Sequence, residues 1–368
     1  MPSPDISSAE IRAASGYSRA DRLLHRLALG FAPLLDLSFD IERRRFAKAA
    51  AQAVAQAVAQ PPVFVIGLAR AGTTLLTRLL HETGAFASLS FRDLPFPLAP
   101  NAWSRLSRDG ERHVARRERG HGDRLTQDLD SPEAIEEIFW RCHEGSRYRT
   151  PEGLKPVPPS AETMAAFHDY VRLVMLRYGR PRYLSKNNNN ILRLPELVAA
   201  FPDAILIHPV RDPLQQAASL RAMHRRACAL AARDPFRAHY MRWLGHHEFG
   251  ADQRPFLFAG APDLTEDRES IDYWLKCWIS AYRHLADQPV AIGRRQHVVD
   301  HGQLCAMPAR VLGALTGRLG LGDGSIDAGM VHRPDERPVE GASRVLLDEA
   351  HSLHAELCAR APVLSAAG

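Results

Sequence analysis

Gly67 and Gly72 bracket four residues and are followed by Thr73-Thr74, directly after the apolar run Pro62-Val63-Phe64-Val65-Ile66 and before Leu75-Leu76. That spacing is the spacing of a phosphate-binding turn between a buried strand and a helix start, where open backbone N–H groups and the helix dipole both favour an anion. A nucleotide triphosphatase loop carries a lysine after its second glycine to reach the β- and γ-phosphates. Here Thr73 stands in that place, and the positive charge has moved into the loop as Arg70. The pattern points to an anion shorter than a triphosphate.

A second stretch carries comparable chemistry. Tyr183-Leu184-Ser185-Lys186 runs into Asn187-Asn188-Asn189-Asn190, then an amphipathic helix to Ala200, then Phe201-Pro202-Asp203-Ala204-Ile205-Leu206-Ile207-His208-Pro209-Val210-Arg211-Asp212-Pro213. Ala204 to Val210 read as a buried strand, with Asp212 as N-cap and Pro213 as first residue of the next helix. Arg211 would then sit at the carboxyl end of a strand, the edge at which open α/β sheets bind ligands. Two strand-to-helix junctions, each with an arginine, imply two anionic groups in one crevice.

The elements that must position these residues follow from local pattern. Leu75, Leu76, Leu79 and Leu80 recur at helical spacing, with Gly84 closing the helix. Phe86 to Pro97 is a short strand-like piece that breaks into a proline-rich aromatic loop. Residues 105–125 are dense in Arg, Glu, His and Gly and read as a solvated or mobile excursion. Ser131-Pro132-Glu133 carries the cap, proline and acid of a helix start. Upstream, the apolar patch from Leu23 to Leu35 reads as helix packed on the core or on a second subunit. The alanine-rich segment Ile41 to Gln60 reads as a helix ended by Pro61-Pro62. We expect a helical extension over 1–60, the loop-bearing α/β domain over 61–330, and a helical C-terminal segment over 331–368.

Composition limits the alternatives. The 368-residue chain is 45% hydrophobic, enough for a large core, and its net charge of +5 suits a polyanionic ligand but is too mild to imply nucleic acid. The five cysteines are scattered and odd in number, without C-x-x-C spacing, so neither a disulfide framework nor a zinc site is expected. Met1 to Glu10 lacks the apolar core of a secretory signal, and no run is long enough to span a bilayer, so a reduced, cytoplasmic setting is expected.

Gly67-Leu68-Ala69-Arg70-Ala71-Gly72-Thr73-Thr74 resembles the 5′-phosphosulfate loop of the sulfotransferase family, in the branch that commonly reads Gly-x-Pro-Arg-Ser-Gly-Thr-Thr. The second signature, a strand ending in Arg-Asp-Pro with a serine eight residues after the arginine, is present as Arg211-Asp212-Pro213 and Ser219. Between them, Lys186 matches a family lysine, and the resemblance covers about residues 61 to 325. Ala69 and Ala71 replace the usual Pro and Ser, and the second change removes a hydroxyl that lies beside the sulfonate in relatives.

The resemblance implies a P-loop-containing nucleoside triphosphate hydrolase-like α/β fold, a three-layer sandwich on a mainly parallel sheet. It also implies transfer of a sulfonate group from 3′-phosphoadenosine 5′-phosphosulfate (PAPS) to an acceptor hydroxyl or amine, without a metal. By the match, Arg70, Ala71, Gly72, Thr73 and Thr74 would hold the 5′-phosphosulfate, and Arg211 and Ser219 the 3′-phosphate. Arg70 and Lys186 would stabilise the leaving group. The family position for a catalytic carboxylate falls at Asp93, whose neighbours Phe91, Pro95 and Phe96 could desolvate it. Glu136, Glu137 and His224 are the next candidates for the base.

Other features carry bland readings. Arg221, Arg225 and Arg226 read as a solvated face, Trp274 and Trp278 as core, and His246-His247 as lacking partners at metal spacing. Phe91, Phe96, Trp103, Phe139, Trp140 and Trp243 fit either core or the wall of a site for an apolar or carbohydrate-bearing acceptor. A homodimer is compatible with the N-terminal apolar patch. Two competing functions stay open: a P-loop kinase using Asp212 as metal-binding carboxylate, and a catalytically idle nucleotide-binding protein.

Overall fold

The structure, a computed structural model, describes residues 18–56, 60–107, 117–118, 126–127, 134–322 and 326–361. Five strands form its central sheet: β1 (Val63–Val65), β2 (Phe86–Ala87), β3 (Arg182–Lys186), β4 (Ile205–Val210) and β5 (Gln296–Asp300). Their order is β2-β3-β1-β4-β5 and every pairing is parallel. The registers Val65↔Lys186 and Val65↔Ile207 set the carboxyl ends of β3 and β1 level, while β4 runs on to Val210 beside Asp300.

The helices are α1 (Arg19–Gly30), α2 (Ala32–Gln56), α3 (Thr73–Glu82), α4 (Pro100–Leu106), α5 (Glu137–Tyr148), α6 (Ala161–Tyr178) and α7 (Leu194–Ala200). They continue with α8 (Pro213–Arg233), α9 (Pro235–Leu244), α10 (Ile271–Ala286), α11 (Val290–Gly293), α12 (His301–Ala306), α13 (Pro308–Leu319) and α14 (Arg344–Ala359).

Side chains that alternate along β1 divide the core in two. Val63 and Val65 pack with Leu75, Leu76 and Leu79 of α3 and with Leu312 and Leu315 of α13. Phe64 and Ile66 face the opposite core, which holds Phe139 of α5, Tyr170 of α6, Leu220 of α8, Trp278 of α10 and Leu353 of α14. A strand covered on both faces must be apolar throughout, which is why β1 reads as a continuous apolar run. The result is the expected three-layer α/β sandwich on a parallel sheet.

Several local readings hold. Gly84 follows α3 at φ 72° and donates to His81 O. Asp212 caps α8 by accepting from Gln215 N at 2.8 Å, with Pro213 in the first turn. The N-terminal apolar patch divides: Leu29 and Leu35 are buried in the main core, as are Phe39 and Phe46 after them, while Leu23, Leu24, Leu27 and Phe31 are exposed, and Glu42 reaches across to accept from the Asn101 and Ala102 backbone at the start of α4. The expected helix start differs: α5 begins at Glu137, residues 134–136 are not helical, and Ser131, Pro132 and Glu133 lie outside the described residues. Met1 to Glu10 and most of the excursion at 105–125 also lie outside them. Among the described residues no helix is long and apolar enough to cross a membrane.

The topology fixes where a ligand site must lie. From β1 the chain passes through α3 to β2 at one edge, and from β4 it passes to β5 at the other. Loops that leave neighbouring strands in opposite directions open a crevice at their carboxyl ends. Gly67–Gly72 and Arg211 both occupy it.

Candidate functional site

The loop after β1 is bent by two left-handed residues. Gly72, at φ 99°, is the N-cap of α3 and offers no side chain, so the first N–H groups of the helix stay available to a ligand. Arg70 stands at φ 71° and is the one non-glycine residue with positive φ among the described residues. Left-handed backbone costs an L-residue ~1–2 kcal/mol, so its surroundings must hold it there.

They do so from α8. Arg70 Nε donates to Ser219 Oγ at 3.0 Å, and Arg211 Nη1 donates to Arg70 O at 3.3 Å. One turn before Ser219, the Gln216 amide donates to Ala69 O at 3.0 Å, while its own oxygen accepts from Trp278 Nε1 at 2.9 Å. Spacing of three residues puts Gln216 and Ser219 on one helix face. The two motifs that sequence reading kept apart are therefore joined side chain to side chain.

The electrostatics of this corner favour an anion. Burial, then the neighbouring Arg70 guanidinium, lowers the Arg211 pKa. Burial and Arg211 also push His301, the first residue of α12, down to about 4. His301 faces the loop closely: a Cβ on Gly72 would lie 3.1 Å from its ring. Lys186 is buried at the end of β3, level with Val65. Glu248 feels its charge: burial acts to raise that carboxyl, but His246 and then Lys186 outweigh burial and hold it at about 2.

The residues considered for proton transfer are placed differently. Asp93 is 1% exposed; its Oδ2 accepts from Ser90 N at 2.8 Å and Tyr178 OH at 2.5 Å, and Arg177 Nε lies 3.6 Å from Oδ1. It closes a capping box on the short turn Phe91–Asp93. Glu136 accepts from Trp140 Nε1, Tyr183 OH, Asn187 Nδ2 and Asn190 Nδ2. Glu137 accepts from Tyr148 OH, Asn187 Nδ2 and Arg193; burial would raise its pKa, but Arg193 outweighs burial and lowers it. The four asparagines are thus a buried network rather than a polar rim, and the first-turn acids of α5 are interior ligands of that network. His224 Nδ1 accepts from Gly250 N at 3.1 Å, which pins the segment after α9. Phe139 and Trp140, offered as acceptor wall, are core residues with no exposure.

Sequence reading missed His247. It is 1% exposed, and its Nδ1 meets Asp252 Oδ2 at 3.1 Å and Asp252 O at 3.2 Å. Two acceptors at Nδ1 require a proton there, and in the neutral ring that makes Nε2 the lone-pair nitrogen. Among the described residues Nε2 has no hydrogen-bond partner. His247 lines a small cavity with Leu68 and Ala69 of the loop, Asn189, Glu248 and Trp274. The partner for the ring lay five residues downstream, on a turn whose approach no helical or strand spacing announces.

A family model described as the sulfotransferase family matches residues 61–254. No curated protein matches the chain significantly. Among solved structures the chain is similar to the sulfotransferase STF1 from Mycobacterium tuberculosis H37Rv, at 13% identity over 96% of this chain and 94% of that one, with a TM-score of 0.43. It is also similar to the sulfotransferase STF9 from Mycobacterium avium, at 17% identity over 94% and 87%, TM-score 0.47. A sulfotransferase from Alicyclobacillus acidocaldarius matches at 16% identity over 82% and 94%, TM-score 0.36.

Proposed function

Because the chain belongs to the sulfotransferase family, we propose that it takes its sulfonate from PAPS, in the crevice between β1 and β4, and passes it to a hydroxyl or amine of a small-molecule or carbohydrate-type acceptor. The observation that carries this reading is the Arg70 Nε to Ser219 Oγ bond of 3.0 Å with Arg211 Nη1 on Arg70 O. It supports one site with two neighbouring anion positions, as a nucleotide bearing separate 5′ and 3′ charges requires.

The N–H groups of Gly72, Thr73 and Thr74 with Arg70 would hold the 5′-phosphosulfate, beside the buried Ala71, and Arg211 with Ser219 the 3′-phosphate. The planar guanidinium fork suits both groups. The acceptor oxygen attacks sulfur, the bond from sulfur to the bridging phosphate oxygen breaks, and adenosine 3′,5′-bisphosphate leaves. Arg70 and Lys186 would face the charge that grows on that oxygen, an effect worth ~3–4 kcal/mol for a preorganised donor. The acceptor's proton goes to a base, and we assign that role to His247, whose Nε2 has no hydrogen-bond partner among the described residues and lies beside the loop; Asp93 accepts from Ser90 and Tyr178 through Oδ2 and pairs with Arg177 through Oδ1. A kinase reading is disfavoured because Thr73 replaces the loop lysine and Asp212 is occupied as the cap of α8.

Calorimetry tests the donor directly. Adenosine 3′,5′-bisphosphate should bind without Mg²⁺ and far more tightly than ATP, and Arg70→Ala and Arg211→Ala should each weaken it at least about tenfold, the loss of one charged hydrogen bond. A preference for Mg-ATP would overturn the reading.

A further inference from the structure

Asp300 closes β5 and caps α12, its Oδ1 accepting from Gly302 N at 2.8 Å and Gln303 N at 3.3 Å. Across this strand end lies α14, which carries the half-buried His354 and Cys358 one turn apart, each next in sequence to a residue packed in the core, Leu353 and Leu357. Among the described residues, one ligand atom each from Asp300, His354 and Cys358 lie within 4.8 Å of one another. Cys358 Sγ is 3.5 Å from His354 Nε2.

A thiol–imidazole hydrogen bond and a shared zinc ion both give that separation. Zinc–sulfur and zinc–nitrogen bonds of ~2.3 and ~2.05 Å at the tetrahedral angle put the two ligand atoms about 3.5 Å apart. A carboxylate oxygen, an imidazole nitrogen and a thiol sulfur together suit zinc, whereas magnesium and calcium take oxygen alone. Asp300 is already oriented by two backbone donors, as a ligand carboxylate should be. The His354 ring is flanked by Trp278 at 6.3 Å between centroids.

We propose that Asp300, His354 and Cys358 form a zinc site that clamps α14 to the carboxyl end of β5. Water would complete the tetrahedron. Binding converts the Cys358 thiol to thiolate and releases its proton to solvent, with no change of oxidation state. The clamp would act next to the crevice, because α12 begins at His301, the residue facing Gly72. It stands independently of which donor the enzyme uses.

The test uses the full chain after chelator treatment, titrated with zinc chloride and, in parallel, with cobalt(II). We expect one zinc per chain and a thiolate-to-cobalt charge-transfer band. Both should be lost in Cys358→Ser, and the affinity for zinc should fall by more than the ~10–100-fold that losing an outer partner costs. His354→Ala should weaken zinc comparably. If Cys358→Ser folds poorly, Asp300→Asn provides a second variant, and circular dichroism melts of the zinc-free proteins separate misfolding from lost ligation. Substoichiometric zinc, cobalt without a thiolate band, or zinc that survives Cys358→Ser but is lost in Cys305→Ser or Cys228→Ser would overturn the site.

Discussion

Asp93 receives a backbone N–H from Ser90 and the phenol of Tyr178 at Oδ2, with the Arg177 guanidinium beside Oδ1, whereas His247 Nε2 has no hydrogen-bond partner among the described residues. A general base needs a lone pair that can reach the acceptor's proton, and geometry decides before acidity does. The Tyr178 hydroxyl itself is tied to Asp93; burial, then Asp93, raises its pKa well above the usual phenol range, so the phenol stays a neutral donor. We expect His247→Ala to lower kcat by ~10²–10⁴-fold with donor binding unchanged. Asp252→Asn should give a smaller loss, since it disturbs the tautomer and not the nitrogen. Asp93→Asn should instead lower the melting temperature while kcat stays within a few fold. Single-turnover assays with radiolabelled donor measure these quantities; an inactive Asp93→Asn together with an active His247→Ala would return the role to Asp93.

The element that organises the donor site is α8, because one of its faces presents Gln216 to the carbonyls of Leu68 and Ala69 and Ser219 to Arg70. Gln216 also receives Trp278 of α10, so the loop's shape is transmitted to the helical layer behind the sheet. Gln216→Leu keeps the volume but leaves the Trp278 N–H and the Ala69 carbonyl buried without partners, at ~1–3 kcal/mol for each such group. It should lower stability in denaturant melts and weaken adenosine 3′,5′-bisphosphate about tenfold, because the left-handed turn at Arg70 loses its brace. Unchanged affinity would mean that Ser219 and Arg211 suffice to hold the turn. Much of this assembly is legible in the sequence: Gly67, Arg70, Gly72, Asp212-Pro213 and Ser219 are local signals whose backbone meaning does not depend on the rest of the chain. Asn187 to Asn190, Glu136 and Glu137 were not legible, since amides and first-turn acids look the same on a surface as in a buried network. His247 beside Leu68 and Ala69, and His354 and Cys358 with Asp300, are set by tertiary approach, which no spacing encodes.

For the whole molecule, several buried histidines make stability pH-dependent, and His208, on the strand next to β1, is one of the two pushed furthest down. It is 2% exposed on β4, and its Nδ1 donates to Ile66 O at 2.8 Å, binding β4 to the residue just before the phosphate loop. Burial, outweighing that bond, pushes its pKa down from 6.5 to about 4. A native state that refuses a proton which the unfolded chain accepts below pH 6.5 must lose stability on acidification, between pH 6.5 and pH 4. At pH 5 the unfolded His208 is almost wholly protonated and the native one is not, a difference of about 2 kcal/mol against neutral pH. Above pH 6.5 both states are neutral there and the dependence vanishes. Urea melts at pH 7 and pH 5 should therefore differ by at least this amount. His208→Gln can still donate to Ile66 O through its amide but has no proton to gain, so it should shrink the difference by about 2 kcal/mol. An equally steep dependence in that variant would move the effect to His301 and the loop, where bound adenosine 3′,5′-bisphosphate should suppress it by favouring the charged ring.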